Sequence, residues 1–156
     1  MENISLNITF AEAVKSAEAV RLGIKSDPGT AALENMKRIA GRIFEPVRHA
    51  VCGDMPLAVT SFFRSPELNA AIAGSSSTSQ HCFGEAMDLD ADVNGNGTNA
   101  AIFEYISDFL PFDQLIWEFG DDKRPAWVHV SLCATGNRHQ RLRSYKQNGK
   151  TVYKLL

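Results

Sequence analysis

A histidine and a carboxylate flank a glycine near the middle of the chain. The segment 79–88 reads SQHCFGEAMD and places His81 and Asp88 seven residues apart. Gly84 lies between them and permits a sharp backbone turn that would bring the two side chains together. Imidazole and carboxylate are both ligands of Zn²⁺, and a catalytic zinc ion is usually held by three protein ligands with a fourth position left for water. The segment therefore predicts two zinc ligands and requires a third.

The third ligand is expected among the remaining histidines. The chain has 4 histidines in all. His129 lies in the run WVHVS at 127–131, where flanking apolar residues would hold it at the surface of a sheet. His49 and His139 have no partner motif, and we expect both at the protein surface. We predict that His129 completes the metal site.

These residues resemble a known family, the zinc D-alanyl-D-alanine carboxypeptidases and related peptidoglycan endopeptidases. The family includes L-Ala-D-Glu endopeptidases and phage endolysins, and its metal site is similar to that of hedgehog signalling domains. Its pattern is Ser-x-His-x-x-Gly-x-Ala-x-Asp followed by Trp-x-His on a later strand. The matching residues are Ser79, His81, Gly84, Ala86, Asp88, Trp127 and His129. The resemblance implies one zinc ion held by His81, Asp88 and His129, and hydrolysis of amide bonds in peptidoglycan stem peptides or related D-amino-acid peptides.

A second stretch of the sequence resembles the family's substrate-binding segment. The segment 60–69, TSFFRSPELN, resembles the family's Ser-Gly-Tyr-Arg-Ser stretch, although two phenylalanines replace its Gly-Tyr. The resemblance implies that Arg64 contacts substrate or stabilises charge in the transition state. A planar guanidinium binds a carboxylate with two parallel hydrogen bonds, which suits a free C-terminus or a D-glutamate side group. Ser79 is a further candidate for substrate binding, and Ser79 and Ser131 are candidates for orienting the metal ligands.

The general base has to be found elsewhere. Many relatives carry an acidic residue three positions before the last histidine, but here that position is Ala126. If the charged turn 120–125 joins two strands, Glu118 would stand on the same face of the sheet as His129. Glu118 is therefore our candidate base, with Asp121 and Asp122 in reserve.

Two other functions are compatible with the pattern. The absence of an acid at Ala126 fits a catalytically silent zinc-containing module that only binds peptidoglycan. Alternating oxygen donors at Asp88, Asp90, Asp92 and 94–96 resemble a calcium loop, but the closing glutamate of an EF-hand loop is absent. Cys82, beside His81, is expected to be a packed small side chain rather than a ligand.

The elements that must position these residues can be read from local signals. Capping signals and apolar spacing predict a short first helix that begins at Thr9 and has apolar positions up to Val20, a long helix from Asp27-Pro28 to about Val47, a short helix after Arg64, and another from about Thr98 to Leu110. Segments 57–62, 113–119, 127–132, 143–146 and 151–155 read as strands, the last two joined by Asn148-Gly149. A small-residue loop is expected at 74–79. The chain is predicted to be α+β, one domain at 1–156 with helices packed on a mostly antiparallel sheet and the zinc cleft on that sheet.

Composition limits the partners and the location. A net charge of -2, from 16 Lys and Arg against 18 Asp and Glu, gives no general attraction to nucleic acid. We expect a monomer that does not insert into a membrane. Its 3 cysteines, Cys52, Cys82 and Cys133, are expected as buried thiols outside any disulfide framework. Without a signal-peptide pattern at the N-terminus, we expect a protein that is cytoplasmic as synthesised, either a phage or prophage lysis protein that later acts on the cell wall or a cytoplasmic dipeptidase.

Overall fold

The computed structural model describes residues 2–72, 75–76 and 78–156 and has an α+β fold. The helices are α1 (Phe10–Ala13), α2 (Ala17–Leu22), α3 (Gly29–Ile39), α4 (Glu45–Cys52), α5 (Pro66–Ala71) and α6 (Asn99–Phe109). A π-helical turn at Ala40–Phe44 joins α3 to α4, and a 3₁₀ helix at Gln80–Phe83 precedes the second strand. The strands are β1 (Ala58–Ser61), β2 (Ala86–Asp90), β3 (Gln114–Glu118), β4 (Trp127–Ser131), β5 (Gln140–Gln147) and β6 (Lys150–Leu155).

The strands form one sheet in the order β1-β2-β4-β3-β5-β6. Neighbouring strands are antiparallel except β3 and β5, which are parallel. The expected hairpins, β3 with β4 and β5 with β6, are both present. The prediction of a mostly antiparallel sheet is therefore confirmed.

One face of this sheet builds the core and the other is left for the site. Side chains alternate between the two faces of a strand. The side chains on one face are fully buried with apolar residues of α3, α4 and α6. They belong to Met87, Leu89, Val128, Val130 and Leu115. Asp88, His129 and Glu118 occupy the alternate positions and therefore lie on the opposite face.

The helix signals were largely correct. Thr9 and Glu12 form the predicted capping box of α1, and the Thr98 hydroxyl accepts a hydrogen bond from Ala101 N–H at the start of α6. The long predicted helix is interrupted by the π-helical turn, yet its apolar face from Met36 to Val47 is buried as expected. None of the described helices has the length and apolarity that crossing a membrane requires.

One local prediction was wrong, and one strand was not predicted. The first helix does not continue to Val20, because a second helix begins after the Ser16 cap and leaves Val20 83% exposed. The segment at 86–90 was not predicted as a strand, although it forms β2 between β1 and β4. Part of the loop predicted at 74–79 lies outside the described residues.

Candidate metal centre and catalytic cleft

Three metal-binding side chains converge on the sheet. Asp88 of β2 and His129 of β4 are directly paired across antiparallel strands, and Asp88 Oδ1 lies 3.0 Å from His129 Nδ1. His81 extends from the 3₁₀ helix, with Nε2 3.5 Å from the same Oδ1 atom. One donor atom from each side chain lies within 4.8 Å of the other two. This spacing fits a single metal ion bound between the three groups.

The orientation of His81 is fixed by the backbone. Its Nδ1 lies 2.7 Å from the carbonyl oxygen of Phe62, and the side chain is 4% exposed. Because a carbonyl oxygen only accepts, Nδ1 must carry the proton of this hydrogen bond. In the neutral ring the lone pair is then on Nε2, the nitrogen that faces Asp88. Metal-binding histidines typically donate a hydrogen bond from the ring nitrogen that does not bind the metal, as Nδ1 of His81 does here.

Gly84 allows the chain to turn from the 3₁₀ helix into β2. Its φ of +69° lies in the left-handed region, and a Cβ at this position would be 2.4 Å from the Ala32 carbonyl oxygen and 2.7 Å from Met36 Cγ. Only glycine meets both conditions. The close approach of this turn to α3 therefore sets the position of His81, three residues earlier, relative to Asp88.

The charge of Asp88 is stabilised by its two histidine neighbours. Burial alone would raise the pKa of the Asp88 carboxyl, but the adjacent His81 and His129 outweigh it and hold the pKa well below its usual range. The carboxylate is therefore ionised over the whole neutral range. An ionised carboxylate is the form that binds a metal ion.

A second carboxylate, Glu118, is buried beside the donor group. Glu118 of β3 is paired with Trp127 of β4, so it lies on the same face as His129 and diagonal to it, a position that is usually about 7–8 Å away across antiparallel strands. It is 7% exposed and accepts a short hydrogen bond from the Ser144 hydroxyl. Burial raises the pKa of the Glu118 carboxyl, although the hydrogen bond from Ser144 opposes the rise. A raised pKa suits a group that must exchange protons near neutral pH.

The two reserve candidates for the base lie elsewhere. Asp121 accepts hydrogen bonds from the backbone N–H groups of Lys123 and Arg124 and so stabilises the turn of the β3–β4 hairpin. Asp122 forms an ion pair with Arg143. An open cleft on the sheet is lined by Glu118 and the three metal donors, and neither Asp121 nor Asp122 lines it. Both lie in the turn between β3 and β4.

Arg64 lines the same cleft at its β1 end. Its guanidinium donates to Asn69 Oδ1 at 3.1 Å and to Ser61 Oγ at 3.4 Å. No carboxylate of the described residues lies within ion-pair distance of it. Neutral hydrogen-bond partners hold the side chain in place and leave its charge uncompensated. The group is therefore suited to bind an anionic part of a ligand.

The other sequence candidates have different positions. Ser79 lines the cleft. Ser131 is fully buried and accepts a hydrogen bond from Gln114 N–H, so it orients β3 rather than a metal ligand. His49 is exposed beside Asp54, and His139 packs on Phe112, both away from the donor group. In the calcium-like segment, Asp90 accepts hydrogen bonds from Asp92 N–H and from Asn99. Among the described residues, only one group has three donor atoms close enough together to hold a single metal ion. It consists of His81, Asp88 and His129.

The cleft also contains residues that the sequence did not point to. It has a volume of about 840 Å³ and runs across the sheet from Arg64 to Tyr153 on β6. Ser144 and Tyr153 reach this face because β5 pairs in parallel with β3, and β6 then pairs with β5. The Asn-Gly turn signalled the last hairpin, but no local pattern indicates which strand it joins. A further cluster of polar side chains links the segment after β4 to the residue before His81. Its members are Asp113, Gln80 and Arg138.

A His-Asp-His donor group in an open cleft, with a buried carboxylate beside it, is the arrangement expected of a mononuclear metallohydrolase. The family model for Peptidase M15 matches residues 6–131, and the chain belongs to this family of zinc peptidases, which are similar to D-Ala-D-Ala carboxypeptidases. The resemblance read from the sequence is thereby confirmed. No curated protein matches the chain. The family supports a metallopeptidase with a peptide substrate.

Proposed function

We propose that the chain hydrolyses amide bonds in bacterial cell-wall stem peptides, or in related peptides that contain D-amino acids. The observation that carries the proposal is Glu118, a buried carboxylate on the strand next to His129 and diagonal to it. A module that only binds peptidoglycan has no need to keep a second carboxylate buried beside the three metal donors. A hydrolase needs one to move protons.

The donor set fits zinc. His81 offers Nε2 because its Nδ1 is hydrogen-bonded to Phe62, and Asp88 is ionised. Two imidazoles and one carboxylate are a common ligand set of catalytic zinc. We assign His81, Asp88 and His129 as the ligands. When bound, zinc supplies a Lewis acid and lowers the pKa of a coordinated water to about 7.

Glu118 is assigned as the general base. It accepts a proton from the attacking water and returns it to the leaving amine. The hydrogen bond from Ser144 holds the carboxylate on the cleft side of the sheet, and burial keeps competing water away from it. This assignment also accounts for Ala126. The acid that many relatives carry three positions before the last histidine is replaced here by Glu118 on the neighbouring strand.

Arg64 and Ser79 are assigned to substrate binding. The uncompensated guanidinium of Arg64 binds a carboxylate of the peptide, either its C-terminus or the side group of D-glutamate. The Ser79 hydroxyl, which also lines the cleft, provides a hydrogen bond to the peptide backbone. Both a carboxypeptidase and an endopeptidase fit these two contacts. Action on the cell wall by a phage or prophage lysis protein would fit this substrate class.

Replacing the base tests the proposal. Zinc-loaded Glu118→Gln keeps the size of the side chain and removes its ability to accept a proton. We expect hydrolysis of a stem pentapeptide, measured by mass spectrometry, to fall by about 100-fold or more with zinc content unchanged. Asp121→Asn, which changes a carboxylate outside the cleft, is the control and should retain full activity. Stoichiometric zinc in a wild-type protein that cleaves no stem peptide would instead support the peptidoglycan-binding module.

A further inference from the structure

The last two strands complete the catalytic cleft although the family match ends before them. The match covers residues 6–131, whereas β5 and β6 occupy Gln140–Gln147 and Lys150–Leu155. The cleft-lining residues that follow the matched region are Arg138, Leu142, Thr151 and Tyr153. This wall of the cleft is therefore built by a part of the chain that the family match does not cover.

The pairing of the two strands determines which side chains face the cleft. Ser144 is paired with Glu118 on one side and with Tyr153 on the other, so all three lie on the face that carries the metal donors. Tyr145 is paired with Val152 and lies on the opposite face. The hairpin thus presents one tyrosine to the cleft and one away from it.

Tyr153 is placed to contact a ligand rather than to fill the core. Its side chain lines the cleft and is 55% exposed, which is a large exposed area for an aromatic ring. Burial raises the pKa of the Tyr153 hydroxyl, and the charges of Glu118 and Asp88 add to the rise, as expected for a phenol on the side of the two carboxylates. A ring with a hydroxyl provides both an apolar surface and a hydrogen bond to a peptide.

Thr151 adds a second polar group to the same wall. Its hydroxyl accepts a hydrogen bond from Lys146 at 2.9 Å and keeps its own hydrogen free to be donated. Thr151 and Tyr153 are two residues apart on β6 and project on the same side. Together they provide two donors beside one aromatic surface.

The geometry of the sheet gives the extent of this wall. β6 lies two strands beyond β3, which is about 10 Å at the usual strand spacing. An extended peptide rises about 3.4 Å per residue, so roughly three residues fit between Glu118 and Tyr153. Arg64 lies at the other end of the cleft. A peptide that placed its carboxylate on Arg64 and its cleaved bond beside Glu118 would therefore continue toward β6.

We propose that Tyr153 and Thr151 form a subsite for the part of the peptide that precedes the cleaved bond, and that the subsite makes the chain selective for peptides of four or more residues over dipeptides. This inference rests on the proposed peptidase function and extends it. Tyr153 sets the preference for longer substrates through binding, and it takes no part in proton transfer.

The test compares the two tyrosines of the hairpin on two substrates. Tyr153→Ala and Tyr145→Ala each remove one ring, from opposite faces of the same hairpin. The substrates are a stem pentapeptide ending in D-Ala-D-Ala and the dipeptide D-Ala-D-Ala. We expect Tyr153→Ala to raise the KM of the pentapeptide by about tenfold with kcat within about twofold, and Tyr145→Ala to change neither. The wild-type protein should show little turnover of the dipeptide.

A binding measurement separates this inference from the function on which it rests. Zinc-loaded Glu118→Gln is titrated with the pentapeptide by calorimetry, alone and combined with each tyrosine substitution. We expect Tyr153→Ala to raise the Kd about tenfold and Tyr145→Ala to leave it unchanged. Equal affinities for the two double variants, or wild-type turnover of the dipeptide as efficient as that of the pentapeptide, would overturn the subsite. A wild-type protein that binds the pentapeptide through Tyr153 but does not cleave it would overturn the peptidase function alone.

Discussion

Ser144 of β5 donates its hydroxyl hydrogen to Glu118 of β3, and the two residues are paired across the parallel strands of the sheet. Ser144 is fully buried and also accepts a hydrogen bond from Phe119 N–H at 3.2 Å. The carboxylate therefore has a fixed position that depends on a strand outside the matched part of the chain. Two separate pairings act on Glu118: β3 with β4 places it beside the metal donors, and β3 with β5 brings Ser144 to it.

Ser144→Ala tests this hydrogen bond. Its loss removes an interaction of roughly 1.5–3 kcal/mol with the carboxylate, so we expect kcat to fall by about tenfold or more with zinc content unchanged. Because the hydrogen bond lowers the pKa of Glu118, its removal should raise that pKa and move the acid limb of the kcat/KM profile to higher pH. The control is Ser107→Ala, which removes a hydroxyl on α6 that accepts from Arg141. An unchanged pH profile in Ser144→Ala would remove Ser144 from the positioning of Glu118.

Gly84→Ala tests the turn that precedes β2. The added Cβ would meet the Ala32 carbonyl oxygen, and the backbone conformation is one that alanine adopts at a cost. We expect the free energy of unfolding, measured by urea denaturation, to fall by about 3 kcal/mol, and zinc affinity to fall with it. Gly95→Ala is the matched control because Gly95 has φ of +70° but open space at its Cβ position. Its expected loss is about 1 kcal/mol. Equal losses in the two variants would show that the contact with α3 is unimportant.

Arg64→Ala tests carboxylate binding. With the guanidinium removed, we expect the KM for a stem peptide with a free C-terminus to rise by about tenfold to a hundredfold. If the C-terminus is the group bound, amidation of the peptide C-terminus should raise the KM of the wild-type protein by the same factor. It should raise the KM of Arg64→Ala little further. Arg21→Ala, which changes an exposed arginine paired with Glu18, is the control. An unchanged KM for every peptide tested would exclude Arg64 from substrate binding.

Asp113 gives a prediction about acid stability. Asp113 is 2% exposed and accepts hydrogen bonds from the guanidinium and backbone N–H of Arg138, which lower the pKa of its carboxyl to about 2. The lowered pKa corresponds to a stabilisation of about 1–2 kcal/mol, allowing for the exposure of the Arg138 side chain. Because the folded-state pKa lies below the unfolded one, this stabilisation is complete above about pH 4 and is lost as the pH falls toward 2.

Asp113→Asn should therefore be less stable than the wild-type protein by a constant amount from pH 5 to 7. The difference should shrink below about pH 4. Both proteins are compared without metal, by urea unfolding, so that zinc release does not contribute. A difference that stays constant from pH 7 to 3 would mean that the Asp113 carboxylate is not the source of the stabilisation.

The sequence predicted the metal donors because they depend on local pattern and one long-range pairing. His81, Gly84 and Asp88 lie within one short segment, and the WVHVS run indicated the strand of His129. The alternation of buried and cleft-facing residues puts Asp88 and His129 on one face of the sheet, and the observed pairing of β2 with β4 places them opposite each other. The same alternation put Glu118 on the face of the metal donors.

The rest of the site depends on contacts that no local pattern encodes. The parallel pairing of β3 with β5 brings Ser144 to Glu118, and the residues involved are 26 positions apart. The hydrogen bond from His81 to Phe62 uses a backbone carbonyl, so the identity of residue 62 carries no signal for it. Val20 was misassigned because its spacing from Phe10 fits one helix, whereas the Ser16 hydroxyl accepts a hydrogen bond from Ala19 N–H and begins a second.

The central claim is that a zinc ion held by His81, Asp88 and His129 is required for cleavage of D-amino-acid peptides. The most direct measurement follows release of fragments from purified peptidoglycan by mass spectrometry, with zinc-loaded protein, chelator-treated protein and chelator-treated protein supplied again with zinc. We predict one zinc ion per chain, cleavage that stops with chelator and returns with zinc, and neither zinc nor cleavage in His129→Ala, with His139→Ala unaffected. Cleavage that persists without zinc, or in zinc-free His129→Ala, would contradict the account.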